Sequence, residues 1–276
     1  IITDIPSLRL RLKSEHYVVF VPTMGNLHEG HLSLIQIGKQ KSGCLVASIF
    51  VNRLQFGQTS DFDQYPRTLI EDFKFLENHG VDVVFAPTEK DIYPVRQEFV
   101  IEPPPLANIL EGEFRPRFFS GVATLVLKLF NLVQPQLAIF GKKDYQQLCV
   151  MREMIRQLNL SIEIDEGETV RTSDGLALSS RNRFLNREER TEAACLFQVL
   201  SKIKLEIETG NKNLEELQNT ARETLISRGW DVDYISLRQG NTLAPAQVNS
   251  GPLVVLGAAK LGTTRLIDNL EISVEI

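Results

Sequence analysis

"VPTMGNLHEGHLSLI", residues 21–35, runs from an apolar stretch through two glycines and two histidines into an amphipathic segment. A strand that hands the chain straight to a helix aims unpaired backbone N–H groups and the positive end of the helix dipole at one point, where anions bind. Gly25 permits the sharp exit from the strand, and Gly30 lets a flat group lie against bare backbone. His28 and His31, at i and i+3, are expected on one helix face flanking one pocket. Three readings compete on these residues alone. Gly25 to Gly30 has phosphate-loop spacing, but His31 and Leu32 stand where that loop needs Lys and Ser/Thr. A zinc site would use both histidines, yet the chain has only four histidines and three scattered cysteines. The third reading is a helix start with incidental histidines.

Outward from that stretch, "YVVFV" (17–21), "CLVASIFV" (44–51), "VDVVFA" (81–86) and "QLAIF" (136–140) read as parallel strands buried on both faces. Helical spacing in "SGVATLVLKLFNLV" (120–133), ended by Pro135, and in "YPRTLIEDFKFLENHG" (65–80), closed by Gly80, predicts helices between them. The alternation predicts an α/β fold, a Rossmann-like doubly wound parallel sheet with right-handed crossovers. Past "LSSRNRFLN", charged helical segments at 187–208 and 214–228 precede strand-like "VDYISL" (232–237), "PLVVLGAA" (252–259) and "TTRLIDNLEI" (263–272). These predict a smaller C-terminal α+β domain, with the division at 1–173 and 174–276. "EPPPLANILEG" (102–112) reads as a connecting loop.

The 276 residues are 43% hydrophobic and 24% charged, with net charge -5, a soluble globular composition that argues against nucleic acid or an acidic membrane surface as partner. Cys44, Cys149 and Cys195 lie far apart and are expected as reduced thiols. No apolar run approaches the roughly 20 residues of a membrane span, and no signal-peptide pattern opens the chain, so a cytoplasmic location is expected.

A triphosphate site needs further cationic or hydroxyl donors, and two segments offer them. "FGKKDYQQL" (140–148) follows a predicted strand: Lys143 suits phosphate, Asp144 ribose or magnesium, and Gln147 a polar substrate. "GLALSSRNRFL" (175–185) presents Ser179, Ser180 and Arg181 in succession, suited to β- and γ-phosphates. Taken singly, the first also reads as a solvated charged turn and the second as a helix-capping loop.

H-x-G-H after a first strand resembles the signature of the class I nucleotidyltransferase superfamily. With "SIFVNRLQF", "YPRTL", "FAPTEKDIYP", "LEG", "GVATLVLKLFNLVQP", "DGLALSSRN" and "RLIDN" in collinear order, nearly the whole chain resembles the pantoate-β-alanine ligase family. That resemblance implies a first ATP loop of Met24, Gly25, Asn26, Leu27, His28, Glu29, Gly30 and His31, with His31 as general acid and His28 as phosphate contact. It adds Gly141, Lys142, Lys143, Asp144, Val170, Leu178, Ser179, Ser180 and Arg181 to the ATP site. Gln55 and Gln147 would hold pantoate, Gln55 also lying beside β-alanine, and Asn52 would shape that pocket. The implied reaction forms pantoyl adenylate and pyrophosphate from pantoate and ATP, then pantothenate and AMP on attack by β-alanine, with Mg2+ carried on the nucleotide. A homodimer is implied, the smaller domain is placed to act as a lid, and the family includes members fused to a nucleotide kinase. A chain opening on Ile1 is read as a candidate fragment of such a protein.

Two departures stand out. Arg53 replaces a usual proline in "VNRLQF", which is expected to loosen the loop carrying Asn52 and Gln55, and Arg117, Phe118 and Ser120 replace Gly, His and Arg in "RPRFFSGV" (115–122). Lys142 also stands where bacterial members often carry Glu. The alternatives to a ligase are another nucleotidyltransferase of the superfamily and a nucleotide-binding module that has lost catalysis.

Overall fold

The computed structural model describes residues 1–57, 59–247 and 251–273. Strands β1 (Val18–Thr23), β2 (Cys44–Ile49), β3 (Val83–Phe85), β4 (Leu137–Gly141) and β5 (Glu163–Gly167) pair in parallel in the order β3-β2-β1-β4-β5. This is the doubly wound order, and its winding reverses between β1 and β4. Open α/β sheets take ligands at the carboxyl ends of strands at such a reversal, and the loops leaving those two strands begin at Met24 and Lys142.

Each apolar run read from the sequence forms its strand, and side chains alternate between faces. Val19 and Val21 join Ile35, Leu45 and Ile139 in one core, while Phe20 meets the Phe130 ring edge-on at 6.4 Å. Helix Phe118–Val133 ends where Gln134 turns left-handed, ahead of Pro135. The segment expected to be helical from residue 65 begins at Leu69 instead. Tyr65 precedes a proline, which disfavours helical backbone there, and Thr68 stands outside the helix as its N-cap. Strand β5, "EIDEG", lies outside the sequence expectation because a sheet edge needs no apolar run. Its acids are instead matched by cations, Asp165 with Lys41 and Glu166 with Arg152.

The chain divides into two compact units, Ile1–Lys142 with Val150–Glu168, and Lys143–Cys149 with Thr169–Ile276. In the second, β6 (Asp231–Gln239), β7 (Leu253–Leu261) and β8 (Thr264–Ile272) form an antiparallel sheet in that order. Helices Ala194–Glu208 and Leu214–Ser227 cover it, and Leu196, Leu200, Leu225, Trp230 and Val255 share one core. Among the described residues, no helix is long and apolar enough to cross a membrane.

One buried ion pair organises this unit. Arg171 grips both oxygens of Asp268, at 2.6 and 2.8 Å, and also donates to the carbonyls of Gly175 and Asn269. Arg171→Met strands a carboxylate whose side chain is 3% exposed. Chemical denaturation is expected to show a loss of about 3–5 kcal/mol, most of it recovered when Asp268→Leu is added. The three cysteines are free and buried. Burial pushes the Cys44 thiol from 9.0 up to about 11. The folded chain therefore holds a proton that the unfolded chain loses near pH 9.0, so stability falls as pH rises from there toward about 11. Iodoacetamide at pH 8 is expected to label Cys44 at the rate of unfolding, and at the rate of a free thiol only in denaturant.

Candidate active site

The loop after β1 opens on two left-handed residues, Gly25 (φ 81) and Asn26 (φ 51). A Cβ on Gly25 would lie 2.8 Å from Asp72 Oδ2 and 3.0 Å from Ile49 Cγ2, so a side chain there would both strain and collide. Thr23 Oγ1 donates to Ser48 O at 2.7 Å and accepts the Gly25 N–H at 3.2 Å. Asp72, 3% exposed, accepts the N–H groups of Asn26 (2.9 Å) and Leu27 (2.8 Å) and the Thr68 hydroxyl (3.1 Å). A buried carboxylate thus sets the path of the loop before any histidine is reached.

The histidines meet, but not as two residues of one helix face. His28 is the extended N-cap (φ -149, ψ 177) of helix Glu29–Lys39, and His31 is its third residue. His28 Nδ1 accepts the Gly30 N–H at 3.1 Å, and His31 Nδ1 accepts the His28 N–H at 3.2 Å, a reciprocal capping box with ring centroids 4.2 Å apart. A backbone N–H can only donate, so each Nδ1 carries a lone pair and each neutral ring carries its proton on Nε2. The pair is therefore built as two Nε2–H donors at the positive end of an 11-residue helix.

After β2, Gln55 Nε2 lies 3.3 Å from Met24 Sδ, and Gln55 Oε1 accepts from Asn52 Nδ2 at 3.0 Å. Asn52 is 0% exposed. Helix Phe118–Val133 crowds this turn: a Cβ on Gly121 would lie 2.4 Å from Leu54 O and 2.7 Å from Gln55 N. Arg53 does not leave the loop loose as expected. Its guanidinium pairs with Glu89 at 2.9 Å and lies 4.0 Å over the Phe62 ring, so a tether replaces the constraint of a proline ring. The residues at 117–120 likewise take structural work. Arg117 caps its helix with left-handed backbone (φ 65), Phe118 stacks under Arg115, and Ser120 donates to Ile101 O at 2.8 Å.

Gly141 ends β4, and Lys142 pairs with Glu168 and Glu166. These, with Met24–His31, Asn52 and Gln55, belong to the first unit; Lys143, Asp144, Gln147, Val170 and Leu178–Arg181 belong to the second. There, Leu178 N–H donates to Val170 O at 2.9 Å and Thr172 N–H to Leu176 O at 3.0 Å, so a tight reverse turn brings Val170 beside Leu178. Asn269 Nδ2 holds the Lys143 carbonyl at 2.9 Å, which ties this turn's anchor, Asp268, to the segment of Lys143 through adjacent residues of β8. Ser179 caps the short helix Ser180–Phe184 by accepting the Arg181 N–H at 3.2 Å. The half-buried Lys143 ammonium and Arg181 guanidinium have no side-chain partner among the described residues, whereas Arg171, Arg190, Arg228 and Arg265 are each matched with a carboxylate. Unmatched cations in a chain of net charge -5 suit an anionic ligand. Gln147 lies half-buried in helix Tyr145–Gln157. Among the described residues, no group of three or more His, Cys, Asp or Glu is placed to hold a metal ion.

Sequence reasoning gave no role to Asp72, Tyr93, Gly121, Asp268 or Asn269. Tyr93 and the Asp268–Asn269 pair stand inside quoted motifs, while a carboxylate buried in an amphipathic helix leaves no periodic mark.

The family model for pantoate-beta-alanine ligase matches residues 1–271. Pantothenate synthetase from Nitrosospira multiformis is 63% identical over 99% of this chain and 98% of its own, and that from Nitrosomonas europaea is 56% identical over 98% and 97%. Among solved structures, pantothenate synthetase from Thermus thermophilus superposes with a TM-score of 0.94 at 40% identity, covering 99% of both chains. The ligase from Francisella tularensis, complexed with βγ-ATP and β-alanine, gives 0.77 at 36% identity over 97% of this chain and 95% of its own.

Two substitutions test the local physics. Asp72→Ala leaves the Asn26 and Leu27 N–H groups without their acceptor, and thermal or urea unfolding is expected to register a loss of about 2–3 kcal/mol. Arg117→Gly removes the left-handed strain and is expected to raise stability by about 1 kcal/mol in the same assay.

Proposed function

This chain belongs to the pantoate-beta-alanine ligase family, and from that premise we propose that its residues join pantoate to β-alanine as follows. A pantoate carboxylate oxygen attacks the α-phosphorus of ATP; the new O–P bond forms as the bond to pyrophosphate breaks. The amine of β-alanine then attacks the acyl carbon of pantoyl adenylate, loses its proton and displaces AMP, giving pantothenate. The observation that carries this reading is the pair of capped histidines at the carboxyl end of β1, in a chain that matches the family from end to end.

The protein's task is alignment and charge neutralisation. His28 and His31 donate Nε2–H hydrogen bonds to phosphate oxygens as negative charge grows there. The Nδ1 hydrogen bonds favour this donor role, and His31 acts as a proton donor only by giving up its capping bond. Lys143, Ser179, Ser180 and Arg181 are the cationic and hydroxyl ligands of the nucleotide's phosphates, with Met24–Gly30, Gly141, Lys142, Asp144, Val170 and Leu178 shaping the rest of the nucleotide's contacts. Gln55 and Gln147 hold pantoate, and Asn52 supports Gln55. Magnesium brought with the nucleotide would neutralise phosphate charge, and exposed Asp144, beside Lys143, is the carboxylate that would hold it. A second copy of the chain covers Val95, Phe99 and Val100, which are 76%, 93% and 42% exposed; such an apolar stretch supports the homodimer that the family implies. The reaction's soluble substrates support a cytoplasmic enzyme.

The decisive assay supplies ATP, magnesium, pantoate and β-alanine and follows pyrophosphate and AMP with each omitted. Pyrophosphate should depend on pantoate, and AMP release should depend on β-alanine as well; pyrophosphate formed without pantoate would overturn the ligase reading. His31→Ala is expected to slow adenylation by about two to four powers of ten. Gln55→Ala should raise KM for pantoate and leave that for ATP within about twofold.

A further inference from the structure

We propose that Tyr93 is a positioning residue for pantoate: through Asn52 it fixes the Gln55 amide with its Nε2 donor toward the substrate and its oxygen away. The inference rests on the reading of Gln55 as a pantoate ligand and adds the polarity of that contact and the residue that enforces it.

All four hydrogen-bonding positions of the Asn52 amide are occupied. Oδ1 accepts from the Tyr93 hydroxyl at 2.8 Å and from the Leu54 N–H at 3.3 Å; Nδ2 donates to the Gly121 carbonyl and to Gln55 Oε1, both at 3.0 Å. A carbonyl only accepts and a backbone N–H only donates, so turning the Asn52 amide over would set acceptor against acceptor and donor against donor. Those two backbone groups set the polarity of the Asn52 amide, the Tyr93 hydroxyl supplies the shorter bond that holds the amide in place, and the amide passes its polarity on. The bond from Asn52 turns Gln55 Oε1 toward Asn52 and so sets Nε2 at the other end of the amide, beside the Met24 thioether at 3.3 Å. Thioether sulfur is a weak acceptor. An oxygen of a carboxylate or hydroxyl is a better one, and an oxygen-rich acid such as pantoate supplies it.

Tyr93 provides the shorter of the two bonds to Asn52 Oδ1, in a place where Asn52 is 0% exposed and no solvent substitutes. Burial raises the Tyr93 hydroxyl above its usual range, so it remains a donor at working pH. Its ring is held by other means: Phe50 lies 6.1 Å away and the Lys128 ammonium 4.6 Å over its face. Lys128 is itself anchored to Ile92 O at 2.6 Å and Gln97 Oε1 at 2.8 Å. The hydroxyl can thus be removed without moving the ring.

Tyr93→Phe is expected to raise KM for pantoate about tenfold, with kcat at saturating pantoate and KM for ATP each within about twofold and the melting temperature lowered by about 2–4 °C. In a Gln55→Ala background the same change should have no further effect on pantoate KM, because Tyr93 acts through Gln55. Gln55→Glu tests the polarity without touching Tyr93. It puts a charged acceptor where the donor stood, so pantoate KM should rise above that of Gln55→Ala. If Gln55→Ala leaves pantoate KM unchanged, the assignment of Gln55 itself falls. If Gln55→Ala has its effect but Tyr93→Phe has none, or adds fully to it, the positioning role is overturned. A Gln55→Glu variant that uses pantoate as well as the parent overturns the polarity, and this holds even if Tyr93→Phe fails to fold.

Discussion

The grip of the Asp72 carboxylate on the amides of Asn26 and Leu27 decides how the chain leaves β1, and the chemistry at the start of the next helix follows from it. With those two N–H groups pinned, Gly25 and Asn26 must turn left-handed, and His28 arrives extended at the position of a helix cap. An imidazole then does what serine or aspartate does at most helix starts: it accepts a backbone N–H. As a result each ring shows the other side, its N–H, to whatever lies beyond the helix end. Fold and reactivity are the same hydrogen bonds seen from two directions.

Within each of the two units, polar side chains divide between groups that are matched and groups that are not. Asn52, Gln55, Asp72, Arg171, Asp268 and Asn269 are held in networks of the structure's own making. Lys143 and Arg181 carry charge without a side-chain counterpart among the described residues. The first kind sets local geometry, and the second leaves cationic charge unneutralised by side chains. The reaction of the ligase family asks for alignment of reactants and neutralisation of a leaving group's charge, which fixed polar groups and cations can supply.

Much of this was legible in the sequence, for physical reasons that also mark where it stopped. Strands buried on both faces announce themselves as apolar runs, so β1 to β4 read correctly; β5, at an edge with one isoleucine among acids, has no such signature. The H-x-G-H spacing and the "KKD" and "SSR" segments stand out in the sequence because each gathers donor side chains in a few consecutive positions. Their support was not legible. Asp72 sits 46 positions from the Asn26 it holds, and Asp268 lies 97 from Arg171; no local pattern links such partners. Residue spacing puts the histidines on a shared helix face, whereas the cap geometry of His28 depends on a backbone angle that spacing does not carry.

Arg53 carries a consequence of another kind. A proline would restrain the turn under Gln55 covalently, in any solvent. Here the same turn is moored by an exposed guanidinium and carboxylate, each 47% open to water, and by contact with an aromatic face. Dissolved ions weaken such a mooring and leave a pyrrolidine ring untouched. This chain has thereby made the firmness of the turn under Gln55 a function of the salinity around it.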